Sequence, residues 1–358
     1  MTKIFLIRHA EAEGNVYRRA HGQFNGQIIG KAKSQIKQLR ERFEAEKIDA
    51  VYSSDLSRTI DTAKAISDPR GLQITTTERL REVMVGEWED IAWGDIIHNY
   101  KEMSDNFGHD PARWKIEGSE DYYHVRSRLK DCLCELGRSH EGQSIAAVSH
   151  GFAIRAILCE LMSIPSEKTD LIPYCDNTAV ALLCYNNGEL SIEYHGDNSH
   201  LHSENSTLGN QTWWREERER ISEDLRYMPF DDKRDAGLLS ICGDGMGSDK
   251  CGDVKITSFL ENESKGLLWL DTTREAEKGI GWVSLLAMKP ELRLIEFEVQ
   301  LLGQAVSEYR KLRRERLRLE AAKGSSLMML CEKYGFRQTG ETASMFLMEK
   351  EIRIWGRS

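Results

Sequence analysis

Lys3-Ile4-Phe5-Leu6-Ile7-Arg8-His9-Ala10-Glu11-Ala12-Glu13-Gly14-Asn15 sets an apolar run directly against an arginine and a histidine. The run is continuous rather than alternating, which is the pattern of a strand buried on both faces. The same arrangement returns at Ser144–Ser149, a small apolar strand that delivers His150 ahead of a helix expected over Ala153–Met162. In open α/β sheets ligands gather at the carboxyl ends of strands, and His9 and His150 both fall there. Ser34–Ala45 reads as an amphipathic helix, and Ala50–Ser53 as a short strand leading into a helix over Asp55–Ser67. Ala179–Tyr185 and Leu190–His195 read as a hairpin turned by Asn186-Asn187-Gly188. Alternating strands and helices predict a three-layer α/β domain. The region Trp88–Trp114 is polar and aromatic-rich without a clear period, a candidate inserted lid.

The composition sets bounds on the rest. A chain of 358 residues is long enough for two domains, and a net charge of −9 argues against a general nucleic-acid binder. The longest apolar run, Thr178 to Tyr185, is far short of a membrane span, and Ile4–Ile7 is too short for the apolar core of a secretory signal. The eight cysteines are scattered with no CxxC pair, so buried thiols in a reducing cytoplasm are expected, not a disulfide framework or a zinc site. All ten histidines lie at or before His202, so imidazole chemistry belongs to the N-terminal part. The composition changes near residues 205–215.

Arg8 beside His9, and Arg58 at the start of another helix, put two guanidiniums in the company of two imidazoles. That is a poor apolar interior and a good phosphate site, because arginine offers paired donors to phosphate oxygens. The strings Arg8–Asn15, Ser53–Arg58 followed by Thr62-Ala63, Leu80-Arg81-Glu82 with Gly86-Glu87-Trp88-Glu89, and Val148-Ser149-His150-Gly151 together resemble the histidine phosphatase superfamily, with its phosphoglycerate-mutase-like fold. Ala10 and Ala12 depart from the family's usual Gly and Thr.

The resemblance implies that His9 is the nucleophile, forming a phosphohistidine, and that Arg8, Arg58 and His150 clamp the phosphoryl oxygens with help from Asn15. It implies Glu82 as the general acid, then base, and chemistry without metal or other cofactor. Gly22 and Gln23 lie where the family often makes further phosphate contacts. Arg18, Arg19 and His21 line the substrate entrance on one reading and form a solvated face on the other. His195, His200 and His202 lack metal-ligand spacing and read as structural.

Beyond a charged helix from Gln211 to Glu223, a new sheet is expected to start at Leu225–Phe230. Strands follow at Ile256–Phe259, Gly266–Leu270 and Gly279–Ala287. An amphipathic helix over Val299–Leu312 precedes a strand at Leu317–Leu319, a helix to Tyr334 and a strand at Phe346–Ile354. Gly281-Trp282-Val283, Pro290–Arg293, Gln300–Val306 and Glu332–Phe336 resemble the GNAT acetyltransferase fold. Active members have a glycine-rich loop whose amides cradle the coenzyme A pyrophosphate, whereas this loop reads Arg293-Leu294-Ile295-Glu296-Phe297-Glu298. Cys331 stands where many members have a tyrosine. The basic run from Arg310 to Arg318 suits an anionic partner or a solvated helix end.

The expected organisation is therefore a histidine phosphatase domain over 1–205, a linker helix over 206–223 and a GNAT-like α+β domain over 224–358 without normal acetyl-CoA binding. The expected function is metal-free hydrolysis of a small phosphorylated metabolite in the cytoplasm. A phosphomutase, a phospho-ligand-binding regulator and, for the C-terminal part, an active N-acetyltransferase are the alternatives. No nucleic acid or membrane partner is expected; a second copy or a protein partner would dock through the C-terminal domain.

Overall fold

The computed structural model describes residues 1–211, 224–242, 252–290, 292 and 297–354. The charged helix expected over Gln211–Glu223 and the loop residues 293–296, with Leu294 and Glu296, lie outside these apart from Gln211. The chain divides into two compact units. The first holds Met1–Ala12, Ala20–Glu89 and Tyr100–Arg220; the second holds Glu13–Arg19, Asp90–Asn99 and Ile221–Ser358. Two short pieces of the N-terminal half thus belong with the C-terminal unit, a division finer than a single boundary near residue 205. Among the described residues, no helix is long and apolar enough to cross a membrane.

The first unit is built on strands β1 (Thr2–Arg8), β2 (Ala50–Ser53), β3 (Ile74–Thr76), β4 (Ser144–Ser149), β5 (Val180–Asn186) and β6 (Glu189–Asp197). Their order is β3-β2-β4-β1-β5-β6, parallel through β1 and antiparallel beyond it. On one face Phe5, Ile7, Val51, Ala146 and Val148 pack with Leu39 and Phe43 and with Ala63 and Ile66 of the helix Ser57–Ser67. On the other, Ile4, Leu6, Ile145 and Ala147 are equally dry; there the helices Tyr122–Ser139 and Gly151–Leu161 meet β1. Each fully buried Leu or Ile is worth about 1.5–3 kcal/mol, so a sheet covered on both faces follows from the unbroken apolar runs. The hairpin turn has Asn187 and Gly188 at φ 51° and 94°, the left-handed pair that a two-residue turn demands. The 18-residue helix Tyr122–Ser139, capped by Asp121, was not among the expected elements.

The second unit carries β7 (Arg226–Pro229), β8 (Val254–Leu260), β9 (Glu263–Asp271), β10 (Ile280–Met288), β11 (Arg316–Ala322), β12 (Arg337–Glu341) and β13 (Met345–Glu351). Their order is β12-β13-β11-β10-β9-β8-β7. The expected strands are present, but the last lies inside the sheet, between β11 and the unforeseen edge strand β12. Only β10 and β11 run parallel, paired from Ile280↔Arg316 to Val283↔Leu319 and no further. The helix Glu298–Lys311 packs Leu301, Leu302, Ala305 and Tyr309 inward, and Tyr309 donates to the Trp282 carbonyl at 2.5 Å.

Charged side chains bind the two N-terminal pieces into this unit. Glu13 is fully buried and paired with Arg310 at 3.0 Å, and Lys350 donates to the Tyr17 hydroxyl at 2.8 Å. Arg18 grips both oxygens of Asp224, and Arg19 reaches Asp90, Gln304 and Ser307. A Cβ at Gly303 would fall 2.4 Å from the Tyr17 side chain, so glycine is needed for that approach. Neither earlier reading of Arg18 and Arg19 holds, because both are consumed in ion pairs. Three members of the basic run are spent internally, Arg310 on Glu13, Arg314 on the Thr272 and Ala276 carbonyls and Arg318 on Glu275 and Glu349, while Lys311 and Arg313 are exposed.

Candidate active site

β1 and β4 are adjacent and parallel, with Arg8 opposite Ser149, so their ends carry His9 and His150 to one place. The two imidazole rings lie 5.2 Å apart at 60°. His9 Nδ1 is 2.7 Å from the carbonyl oxygen of Ala10. A carbonyl only accepts, so the proton sits on Nδ1 and the lone pair of His9 is on Nε2. At His150 the logic reverses. Arg58 Nε donates to His150 Nδ1 at 3.3 Å, so the proton of His150 sits on Nε2, which is buried with no acceptor. Arg8 Nε is also buried and without an acceptor, while Arg8 Nη1 donates to the Cys175 carbonyl. Gly151 permits the approach, since a Cβ there would stand 3.1 Å from Arg8 Nε.

Burial, then the charges of Arg58 and Arg8, hold His9 well below its ordinary 6.5. Burial, then Arg58 and His9, does the same to His150. Both rings are therefore neutral at neutral pH. Arg58 is brought down to about 10 by burial, against the pull of Glu82 and Glu89, and stays cationic. Its Nη1 and Nη2 donate to the carbonyls of Phe24 and Gly22 at 2.7 Å each. With Nε on His150, three of its five N–H groups are committed.

Glu82 accepts the backbone N–H groups of Phe152 at 3.0 Å and Ala153 at 2.8 Å, in the first turn of the helix that starts beside His150. Burial raises its carboxyl above the ordinary 4.5, although those amides and Arg58 oppose the shift. Its backbone is pinned as well, since Arg128 donates to the Glu82 and Arg81 carbonyls and pairs with Glu120. Glu89 accepts the amides of Gln23 and Phe24, holding the loop that faces Arg58. The Gln23 side chain is engaged with the Glu82 carbonyl and Arg81, and the Gly22 carbonyl with Arg58. The His21 ring lies tilted against Phe24, with centroids 4.6 Å apart.

The structure thus brings together Arg8, His9, Arg58, Glu82 and His150. Asn15 sits on the short helix Glu13–Val16, which belongs to the second unit. His200 is tied to Thr178 and Arg42, and its pKa is pushed down to about 4 by burial. Arg128 and the half-buried ring of Phe152 escaped the sequence reading. Arg128 lies on the unread helix Tyr122–Ser139, whose spacing of Val125, Leu129, Cys132 and Leu133 is a legible helical stripe.

Residues 4–198 match the model of the histidine phosphatase superfamily (branch 1). The chain is 30% identical over 183 residues to phosphoserine phosphatase 1 of Hydrogenobacter thermophilus, spanning 51% of this chain and 86% of that one. It is 28% identical over 166 residues to a probable phosphoglycerate mutase of Salmonella choleraesuis, spanning 46% and 77%. Among solved structures, YhfR of Bacillus stearothermophilus superposes with a TM-score of 0.55 at 27% identity, covering 56% of this chain and all of that one. The chain belongs to the histidine phosphatase superfamily.

Proposed function

We propose that this chain hydrolyses a small phosphate monoester through a phosphohistidine at His9. The observation that carries the reading is the opposite hydrogen bonding of two neighbouring imidazoles, which leaves His9 an Nε2 lone pair and His150 an Nε2–H. One is a nucleophile and the other a donor to a phosphoryl oxygen. His9 Nε2 attacks phosphorus while the bond to the ester oxygen breaks and protonated Glu82 gives its proton to the departing alkoxide. Glu82, now a carboxylate, takes a proton from water; the hydroxide attacks phosphorus and the P–N electron pair returns to His9. Arg8, Arg58 and the His150 N–H hold the equatorial oxygens, where charge accumulates. The species released separates a phosphatase from a mutase: inorganic phosphate for the first, an isomerised ester for the second. Turnover of p-nitrophenyl phosphate and sugar phosphates in the presence of a chelator, lost in His9→Ala, is the expected result. Unchanged turnover in that variant would overturn it.

For the second unit we infer a GNAT-like module without acetyltransferase activity. Cys331 is fully buried, and burial pushes its thiol up to about 12, so it is not presented to a departing thiolate. Glu298 occupies the first turn of the helix Glu298–Lys311, where a pyrophosphate requires positive potential. Calorimetry with acetyl-CoA should show no saturable binding below millimolar concentration; micromolar binding would overturn the reading.

A further inference from the structure

Within the first unit, an aromatic cluster is tied to the reacting groups through the backbones of Phe152 and Cys175. Phe152 lies two residues after His150, and its backbone amide holds Glu82 Oε2 at 3.0 Å. Its ring stacks on Phe107 with centroids 5.0 Å apart at 21°. Phe107 meets Trp114 edge-on at 5.0 Å and Trp88 at 5.9 Å, both of these indoles being buried. From the Arg8 side the chain returns through Cys175, whose carbonyl accepts Arg8 Nη1, to Tyr174. The Tyr174 hydroxyl lies 3.7 Å from where a Cβ would stand on Gly108, the neighbour of Phe107. Arg155 is the tie: it lies 4.5 Å from the centroid of the Tyr174 ring and donates to the Gly108 and Ile172 carbonyls at 3.0 Å. Glu82, Phe152, Phe107, Tyr174 and Arg8 are thereby linked in one chain of contacts.

The exposure of these rings is graded. Trp88 and Trp114 form a dry base, whereas Phe107 and Phe152 are half-buried and Tyr174 is 36% exposed. Partly exposed aromatic rings, one of them on the residue whose amide holds Glu82, leave apolar surface from which an apolar ligand displaces water. In the proposed reaction, Glu82 must sit at the ester oxygen, so the group beyond that oxygen lies near the residues whose amides hold Glu82, Phe152 among them. The cations nearby are committed elsewhere, Arg155 to carbonyls and Asp170, and Arg128 to Glu120 and three carbonyls.

We propose that Phe107, Phe152 and Tyr174 form a subsite for the leaving group, taking phosphate monoesters whose alcohol carries an aromatic ring or a similarly flat apolar group. The proposal rests on the phosphatase reading of His9 and Glu82. The test compares 2-phenylethyl phosphate with ethyl phosphate, two alkyl esters whose leaving alcohols are similarly acidic, so that leaving-group chemistry is matched. The expected kcat/KM is at least tenfold higher for the phenylethyl ester, with the difference in KM, and Phe107→Leu and Tyr174→Ser each shrink that ratio severalfold. Calorimetry with phenylphosphonate and methylphosphonate reads the same subsite without turnover and should show the same preference. Equal kcat/KM and equal phosphonate affinity, with ethyl phosphate hydrolysed through His9, would overturn the subsite and leave the phosphatase standing. An inert protein that still prefers phenylphosphonate would keep the subsite and overturn the hydrolysis.

Discussion

Arg58 Nε donates to His150 Nδ1 at 3.3 Å and so decides which nitrogen of that imidazole carries the proton. The same guanidinium holds the Gly22 and Phe24 carbonyls. Lysine keeps the charge but has neither the planar fork nor the reach to serve three acceptors at once. Arg58→Lys is therefore expected to lower kcat/KM by at least 100-fold, close to the loss in Arg58→Ala, with little change in fold by circular dichroism. Recovery of activity in the lysine variant to within severalfold of the parent would show that charge alone suffices there.

The Ala10 carbonyl leaves His9 only one nucleophilic nitrogen. A quenched reaction should trap phosphate on Nε2 of His9, distinguishable by the phosphorus chemical shift and by acid lability. Labelling at Nδ1 would contradict the geometry.

Glu82 is expected to act as an acid in the first step, so its removal should hurt most where the departing group most needs a proton. In Glu82→Gln, kcat for an alkyl phosphate is expected to fall roughly 10²–10⁴-fold. For p-nitrophenyl phosphate, which leaves as a stabilised phenolate, the first step should scarcely change. Because burial raises the Glu82 pKa, the acid form persists above the ordinary 4.5. The kcat/KM for alkyl esters should then decline as pH rises through that elevated value, a limb absent from the Gln variant. Equal losses in kcat/KM, which reads the first step alone, for both ester types would remove Glu82 from the acid role.

The strands that end on His9 and His150 were legible because a continuous apolar run closing on charged residues has few other readings. The helix Tyr122–Ser139 is equally legible, since Val125, Leu129, Cys132 and Leu133 recur at helical spacing. β12 was not readable: Arg337, Gln338 and Thr339 are exposed on an edge strand and carry no apolar period. Least legible was the membership of Glu13–Arg19 in the second unit. The partners that bind it, Gln304 for Arg19 and Lys350 for Tyr17, lie 285 and 333 residues along the chain. Local spacing carries no trace of such pairs. It shows only that charged residues stand there, as readily at a substrate entrance as on a solvated face. The aromatic wall at Phe107, Phe152 and Tyr174 was hidden for the same reason.

Those distant pairs make their own prediction. Glu13 is fully buried against Arg310, and removing one member of a buried pair leaves a desolvated charge, at a cost of about 3–5 kcal/mol. Arg310→Met should therefore destabilise the second unit strongly, while Glu13→Gln combined with Arg310→Met should recover much of the loss. Thermal unfolding of the full chain, followed by tryptophan fluorescence, reads both. Additive losses would mean that the pair is not coupled.

The two depressed histidines should also make the first unit sensitive to acid. Their native pKa values lie below the unfolded 6.5. As pH falls under about 6.5 the unfolded chain binds protons that the native site refuses, so stability is full above that value and declines below it, down to the native pKa values. Each such group contributes about 1.4 kcal/mol per pH unit across that window. His9→Asn keeps the size of the ring approximately and removes one titration, so urea midpoints between pH 6.5 and 5 should fall less steeply in the variant than in the parent. Inorganic phosphate, expected to bind the clamp of Arg8, Arg58 and His150, should raise the parent's midpoint across the same range. Identical slopes in parent and variant would mean that His9 titrates alike in both states, against the burial that sets its tautomer and its chemistry.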